Sequence, residues 1–208
     1  MNSILNNKWF VIYIAPFFLG LITIFSFAPY SLTFLNFFTF PLLLFLILLL
    51  KKKTQSKYRK KKTNKYFFYL GCAFGFGFFL FGNYWITISL THDEMFKGLI
   101  PFALILIPLF LSLFFGLAVL VAGNFAEKNI SFILIFSIFF SIFEYLRGSI
   151  LTGFPWNLIS YTWSWSLEGT QILSIIGAYA LSLISITFFC IPFLFLQKKI
   201  FKKNIFFL

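Results

Sequence analysis

Charged residues are scarce in this chain and acidic residues scarcer still. They make up 11% of the 208 residues, and only five are Asp or Glu. A soluble domain of this length needs far more polar surface. Hydrophobic residues reach 61%, and mean hydropathy is +0.95. The composition excludes a soluble domain and predicts an all-α polytopic integral membrane helix bundle.

Cysteine and histidine are also rare. Cys72 and Cys190 both lie in apolar segments without further ligands at metal-binding spacing, so we interpret them as buried small hydrophobic residues. The single histidine belongs to His92-Asp93-Glu94, which is typical of a solvated loop. No Gly-rich phosphate loop, nucleophile elbow or Ser/His/Asp set is present. We therefore assign no catalytic residue, metal ligand or cofactor.

Phenylalanine and basic residues are abundant. The 36 phenylalanines are the expected product of an AT-rich genome, and we interpret them as interchangeable lipid-facing bulk. The net charge of +12 could indicate nucleic acid or anionic lipid. Because the basic residues lie in loops between apolar segments, we predict no nucleic-acid partner and a role in membrane topology.

Six apolar segments are long enough to cross a bilayer, which needs about 20 residues per helix. They lie at roughly 9–29, 32–50, 66–90, 98–122, 130–148 and 169–196. The first two flank a proline-centred turn, so they should form a helical hairpin. We predict one transmembrane domain over residues 1–208.

The positions of Lys and Arg predict the orientation. With the N-terminus inside, the basic loop 51–65, Lys8, Lys128 and the tail at 198–203 are all cytoplasmic. Only Lys97 and Arg147 remain outside. We therefore expect a bacterial inner-membrane protein with both termini in the cytoplasm.

Glu144 and Arg147 lie three residues apart near the end of an apolar segment. Charges at that depth are costly, so they mark a site or a structural lock. Two interpretations stay open. The residues could form an ion pair, or Arg147 could bind a phosphate or carboxylate at headgroup level through its fork of donors. Glu144 and Arg147 are both candidates for lipid binding.

Aromatic residues collect at the predicted outer face. Trp156 follows Gly153-Phe154-Pro155, and Tyr84 and Trp85 end the third segment. Trp156 is either an interfacial anchor at a loop corner or part of a rigid lip where acyl chains enter. We expect Asn83 and Tyr84 to face the bundle interior or a lateral opening. Tyr84, Trp85 and Trp156 complete the lipid-binding candidates.

Gly71, Gly75 and Gly82 share one face of the third segment. Such a face permits close approach of another helix, so we predict a packing role for all three.

Four stretches, in order, resemble the membrane half of apolipoprotein N-acyltransferases. They are Phe25-Ser26-Phe27-Ala28-Pro29-Tyr30, Gly71 to Trp85, Glu144 to Trp156, and the basic tail. The pair Glu-x-Leu-Arg-Gly and Leu-Thr-Gly-Phe-Pro-Trp is the specific part. The resemblance implies an eight-helix membrane domain with a periplasmic nitrilase-like domain between the seventh and eighth spans. That domain's Glu-Lys-Cys triad passes an acyl group from phospholipid to the N-terminal cysteine of an apolipoprotein.

The resemblance implies phospholipid and lipoprotein acyl chains as partners. We expect a membrane part that positions donor and acceptor at the outer leaflet, with the nitrilase-like domain missing or encoded separately. No triad position can be assigned here, so whether this chain alone is an enzyme stays open. The alternatives are a substrate-binding subunit of a transporter and a non-functional truncated remnant.

Overall fold

The computed structural model describes residues 7–54, 60–127, 129–150 and 153–196, and these residues contain helices and no strand. We number the α-helices of this part in chain order. They are α1 Phe10–Ile24, which opens with one π-helical turn, α2 Asn36–Thr54, α3 Lys60–Gly82, α4 Ile86–Ser89, α5 Ile100–Asn124, α6 Ile130–Ser149, α7 Leu167–Ile176 and α8 Ala178–Cys190.

Five helical stretches are long and apolar enough to cross a membrane. They are Thr33–Thr54, Thr63–Gly82, Glu94–Asn124, Ile130–Ser149 and Ala178–Leu196. The stretch Phe10–Ile24 is apolar but shorter. Together they confirm the all-α membrane bundle predicted from the composition.

Three helices end earlier than the apolar pattern suggests, and the first segment, predicted over 9–29, leaves α1 at Ile24. The third segment, predicted over 66–90, leaves α3 at Gly82 and continues only as the short α4. The sixth segment, predicted over 169–196, is divided into α7 and α8 at Gly177. Gly177 has a φ of 81°, which breaks the helix and which a residue with a Cβ adopts only with strain.

Glycines set the distances between α1, α3 and α5. A Cβ on Gly77 would collide with the backbone carbonyl of Phe17 in α1. On the opposite neighbour, a Cβ on Gly71 would lie 2.5 Å from the carbonyl oxygen of Phe115 in α5. Gly75 also faces α5. Helix α3 is therefore packed backbone against backbone between two partners.

Phenylalanine forms the core of the bundle as well as part of its exposed surface, so its interpretation as interchangeable lipid-facing bulk was wrong for the buried rings. Rings from five helices meet at the centre, where the centroids of Phe115 and Phe140 are 4.4 Å apart. Aromatic pairs at such distances add stability beyond the area they bury. The fully buried rings include Phe40, Phe67, Phe74, Phe78, Phe79, Phe115, Phe132, Phe136, Phe140, Phe189 and Phe193.

Basic side chains gather at one end of the bundle. The Lys51 Nζ donates to the carbonyl oxygens of Asn124 and Ala126, each at 2.9 Å, and so joins the end of α2 to the end of α5. Lys8, Lys52, Lys53 and Lys65 lie at this same end, which we call the basic end. The predicted loop lies outside the described residues at 55–59, and Lys128 and the tail at 198–203 lie wholly outside them.

Candidate functional site

The last two turns of α6 carry both charged candidates into the interior. Glu144 is 0% exposed and Arg147 is 2% exposed. After α6, the chain returns at Gly153, whose φ is 72°. The Phe154 N–H donates to the Arg147 carbonyl oxygen at 3.1 Å, which brings the following segment back onto the helix end. We call this segment, residues 153–166, the Trp loop.

Arg147 holds the start of the Trp loop. Its Nη1 donates to the carbonyl oxygens of Phe154 at 3.0 Å and Trp156 at 2.7 Å. The guanidinium carbon lies 5.0 Å from the centroid of the Phe79 ring, within cation–π range. Nη1 is thus satisfied by two backbone carbonyls, and the guanidinium contacts an aromatic face rather than solvent.

Glu144 holds the middle of the same loop. Its Oε1 accepts a hydrogen bond from the Ile159 N–H at 3.1 Å. Within the described residues, ion pairing inside 4.0 Å is confined to Lys97 and Glu94. Glu144 and Arg147 therefore do not form the direct ion pair that their spacing allows. Each charge binds a different part of the loop backbone.

Four polar atoms lie where the end of α6 meets the Trp loop, a place we call the junction. They have no hydrogen-bond partner within the described residues. They are Glu144 Oε2, Arg147 Nε, Arg147 Nη2 and Ser160 Oγ. Buried groups of this kind are costly when unpaired. They make the junction a cluster of buried polar groups inside an otherwise apolar bundle.

Other helices bind the Trp loop as well. The Asn157 Nδ2 donates to the Gly82 carbonyl at 3.3 Å and to Asn83 Oδ1 at 3.2 Å. The Ser160 N–H donates to Ser182 Oγ at 3.1 Å, and the Trp163 indole donates to a serine of α8. These bonds fix the loop to α3, α6 and α8 together.

The short helical turn Thr33–Leu35 before α2 adds a further connection through Thr33. The Thr33 hydroxyl donates to the Thr162 carbonyl at 2.7 Å and accepts from the Trp165 indole at 2.8 Å. Leu158, Ile159, Ser160 and Thr162 are all at most 1% exposed. The Trp loop is consequently a rigid plug that closes the end of the bundle opposite the basic end.

The aromatic candidates have exposed side chains at this end of the bundle, Trp156 within the plug and Tyr84 and Trp85 beside it. Tyr84 is 59% exposed, Trp85 39% and Trp156 48%. The rings of Trp85 and Trp156 are in contact, with centroids 5.0 Å apart. Asn83 faces the interior as expected, at 4% exposure, whereas Tyr84 points outward. The candidates therefore form two layers, a buried charged anchor and an exposed aromatic surface joined by the backbone of Trp156.

A known protein family matches most of this sequence. The sequence profile described as the apolipoprotein N-acyltransferase N-terminal domain matches residues 19–191. The chain belongs to this family. The match extends from α1 through α8 and includes Glu144, Arg147 and the whole Trp loop.

Individual apolipoprotein N-acyltransferases agree with the family match. The chain is 45% identical to the one from Rickettsia prowazekii over 117 residues, 56% of this chain and 23% of the relative. It is 37% identical to that of Rhodopseudomonas palustris over 123 residues, 59% and 23% of the two chains. For Sinorhizobium fredii the identity is 29% over 177 residues, 85% and 33%. The chain spans a third or less of the relatives it matches.

The cysteines and the loop His92-Asp93-Glu94 are separate from Glu144 and Arg147. Cys72 and Cys190 are free thiols, the first half-buried and the second fully buried. The Asp93 carboxylate accepts from the Met95 N–H at 3.0 Å, and Glu94 pairs with Lys97. Within the described residues no group of three or more His, Cys, Asp or Glu could hold a metal ion.

Sequence reasoning did not find the loop's polar partners. Thr33, Asn157, Ser182 and Ser185 each bind the loop or belong to it, and Ser185 Oγ accepts from the Trp163 indole at 2.8 Å. The available signal was a small polar residue within or next to an apolar segment. Gly82, predicted to pack against a helix, lies against both α1 and the loop: a Cβ there would lie 2.7 Å from Ile24 Cδ1 and 2.5 Å from Asn157 Nδ2.

Proposed function

We propose that this chain is the membrane part of an apolipoprotein N-acyltransferase. It positions a phospholipid acyl donor and a lipoprotein acceptor for acylation of the lipoprotein's N-terminal cysteine. The acyl transfer itself would be carried out by a nitrilase-like domain outside these 208 residues. The family match over residues 19–191 is the observation that carries this proposal.

The charge distribution supports a bacterial inner-membrane orientation with the basic end in the cytoplasm. Lys8, Lys51 and Lys65 lie at that end, and Lys97 lies at the other. Positive residues are retained on the cytoplasmic side of membrane proteins. In this orientation both termini are cytoplasmic, and the Trp loop meets the outer leaflet, where the lipoprotein substrate is acylated.

The exposed aromatic surface is our proposed contact for the two lipids. Tyr84, Trp85 and Trp156 have apolar rings with polar edges, which suit the boundary between headgroups and acyl chains. They are held by a plug with hydrogen bonds to four surrounding elements, so the surface is preorganised. A preorganised surface loses little conformational entropy when a lipid binds.

Glu144 and Arg147 act in this proposal as positioning residues. The 2% exposure of Arg147 and its two bonds to loop carbonyls leave its guanidinium facing the protein rather than a headgroup. The direct headgroup contact considered from the sequence is therefore replaced by an indirect one: Arg147 fixes the backbone of Trp156, and Trp156 contacts the lipid.

Site-specific crosslinking tests the proposal. A photoreactive benzoylphenylalanine replaces Trp156 in the full chain in nanodiscs, and a synthetic diacylglyceryl-cysteine lipopeptide is added. We expect crosslinking that excess unlabelled lipopeptide suppresses. Phe195, which is 70% exposed near the basic end, is the matched control position. Equal or non-competable labelling at the two positions would contradict the proposed site.

A further inference from the structure

A groove of about 400 Å³ opens on the outside of the bundle between α1, α3 and α5. Its walls include Tyr13, Phe17, Tyr69, Ala73, Phe76 and Ser112. The Ser112 hydroxyl donates to the Leu109 carbonyl at 2.6 Å, so it offers no free proton to a ligand. The volume falls in the range of about 300–1,000 Å³ that ligand pockets occupy. The groove therefore presents a wall suited to hydrocarbon.

The groove lies at the middle depth of the bundle, since Tyr69 to Phe76 are centred on the span Thr63–Gly82. Tyr69 and Phe76 are seven residues apart on α3, which corresponds to about 10 Å along the helix. One leaflet contributes about 15 Å to the hydrocarbon thickness. Lys65 is one turn before Tyr69, whereas the Trp loop meets α3 at Gly82. An acyl chain that enters beside Lys65 would therefore reach Phe76 after about 16 Å, close to the depth of one leaflet, and would not meet the Trp loop.

Aromatic rings and two lysines form the mouth of the groove. The Lys8 Nζ lies 3.6 Å from the centroid of Tyr66, and the Lys65 Nζ lies 5.5 Å from that of Tyr69. Tyr13 is 6.1 Å from Tyr69, centroid to centroid. Both lysines are exposed, and no carboxylate of the described residues lies within 4.0 Å of either ammonium. The mouth is positively charged, and the interior is apolar.

We propose that this groove binds one acyl chain of an anionic glycerophospholipid, whose phosphate lies beside Lys8 and Lys65. An apolar groove at bilayer depth selects an acyl chain, and the two lysines at the level of the headgroups favour a headgroup of net negative charge over a zwitterionic one. The lipid comes from the leaflet at the basic end. This site is therefore distinct from the aromatic surface at which we place the acylation substrates.

Native mass spectrometry of the full chain in detergent tests the charge at the mouth. The probes are phosphatidylglycerol and phosphatidylcholine with identical palmitoyl and oleoyl chains. The double variant K8Q/K65Q should weaken phosphatidylglycerol binding by about 25-fold, since a lysine near an anionic headgroup contributes about fivefold. It should leave phosphatidylcholine binding unchanged. K8R/K65R should retain the preference for phosphatidylglycerol.

The matched control is K52Q/K53Q, which removes two charges from the same end but from α2. An equal loss in this control would overturn the proposal, because any basic surface would then suffice. An unchanged affinity in K8Q/K65Q would overturn it too. Displacement of the lipid by soluble glycerol 1-phosphate would show that the acyl chain is not needed, which also contradicts the proposal.

A second pair of variants tests the groove itself. Ala73→Phe fills it and should reduce binding of both lipids, whereas Ala180→Phe, on an exposed position of α8, should not. Thermal unfolding of each variant establishes that the fold is retained, and Ala73→Met replaces the phenylalanine variant if it is not. Lipid binding that survives in a folded groove-filled variant would place the acyl chain elsewhere and refute the site.

Discussion

Glu144 and Arg147 place two ionisable side chains inside an apolar helix, and the Trp loop backbone compensates in part for their burial. Taking such groups out of water costs several kcal/mol per ion unless hydrogen bonds replace the lost solvation. Arg147 obtains two carbonyl partners and Glu144 one amide. The same hydrogen bonds satisfy backbone groups of the loop that its irregular conformation would otherwise leave unpaired.

These contacts predict how substitutions of Glu144 and Arg147 combine in their effects on stability. Arg147→Gln and Glu144→Gln should each lower the free energy of unfolding by about 1.5–3 kcal/mol, the usual size of a hydrogen bond to a charged group. The double variant should be less stable than either single one, because the two residues hold different backbone groups. Thermal unfolding in detergent measures this, with the exposed Ser149→Ala as control. A double variant as stable as the parent would instead indicate a self-compensating pair.

The charged anchor could be predicted from sequence, but most of its partners could not. A carboxylate and a guanidinium in an apolar segment stand out because their burial is expensive. Serines and threonines do not, since many bond only to their own helix: Thr23 to Leu19, and Ser137 to Ile133. The sequence cannot distinguish these from Ser182, which binds a loop 22 residues away.

At the scale of helices, hydropathy identified the apolar segments but not where each helix ends. Gly177 lies within a continuous apolar run, so the division between α7 and α8 has no hydropathy signal. The helix stops there because the chain adopts a φ of 81°. Helix α7 is then free to lie apart from α8. It has no buried side chain and carries a short apolar face that includes Ile172 and Ile175.

Helix packing gives a second prediction, from two glycines in different surroundings. Gly71→Ala should strongly destabilise the bundle, because its Cβ would press on the Phe115 carbonyl oxygen at 2.5 Å and on Val119 Cβ at 2.8 Å. Overpacking of this kind costs about 1–3 kcal/mol. Gly98→Ala meets nothing within 4 Å and is the matched control. Equal thermal stability of the two variants would mean that α3 and α5 separate without cost.

At the scale of the whole molecule, the two ends differ in chemistry. One end carries Lys8 and Lys51 to Lys53, and the other carries the Trp loop with its exposed indoles. Lysines hold an end in the cytoplasm during insertion, whereas tryptophans favour either interface. The charge difference therefore sets the orientation, and the aromatic difference does not. The proposed roles of the Trp loop and the groove both depend on which leaflet each one faces.

Cysteine labelling in intact bacterial cells tests the orientation. In a background with Cys72→Ser and Cys190→Ala, we expect Ser164→Cys to react with a membrane-impermeant maleimide and Lys53→Cys to react only after the cells are opened. Both positions are exposed in the folded chain, so a difference reports sidedness rather than burial. Thr162, also in the Trp loop, is 1% exposed and would stay unlabelled from either side. The reverse pattern would place the Trp loop in the cytoplasm, and an outer-leaflet acylation site at that loop would then be untenable.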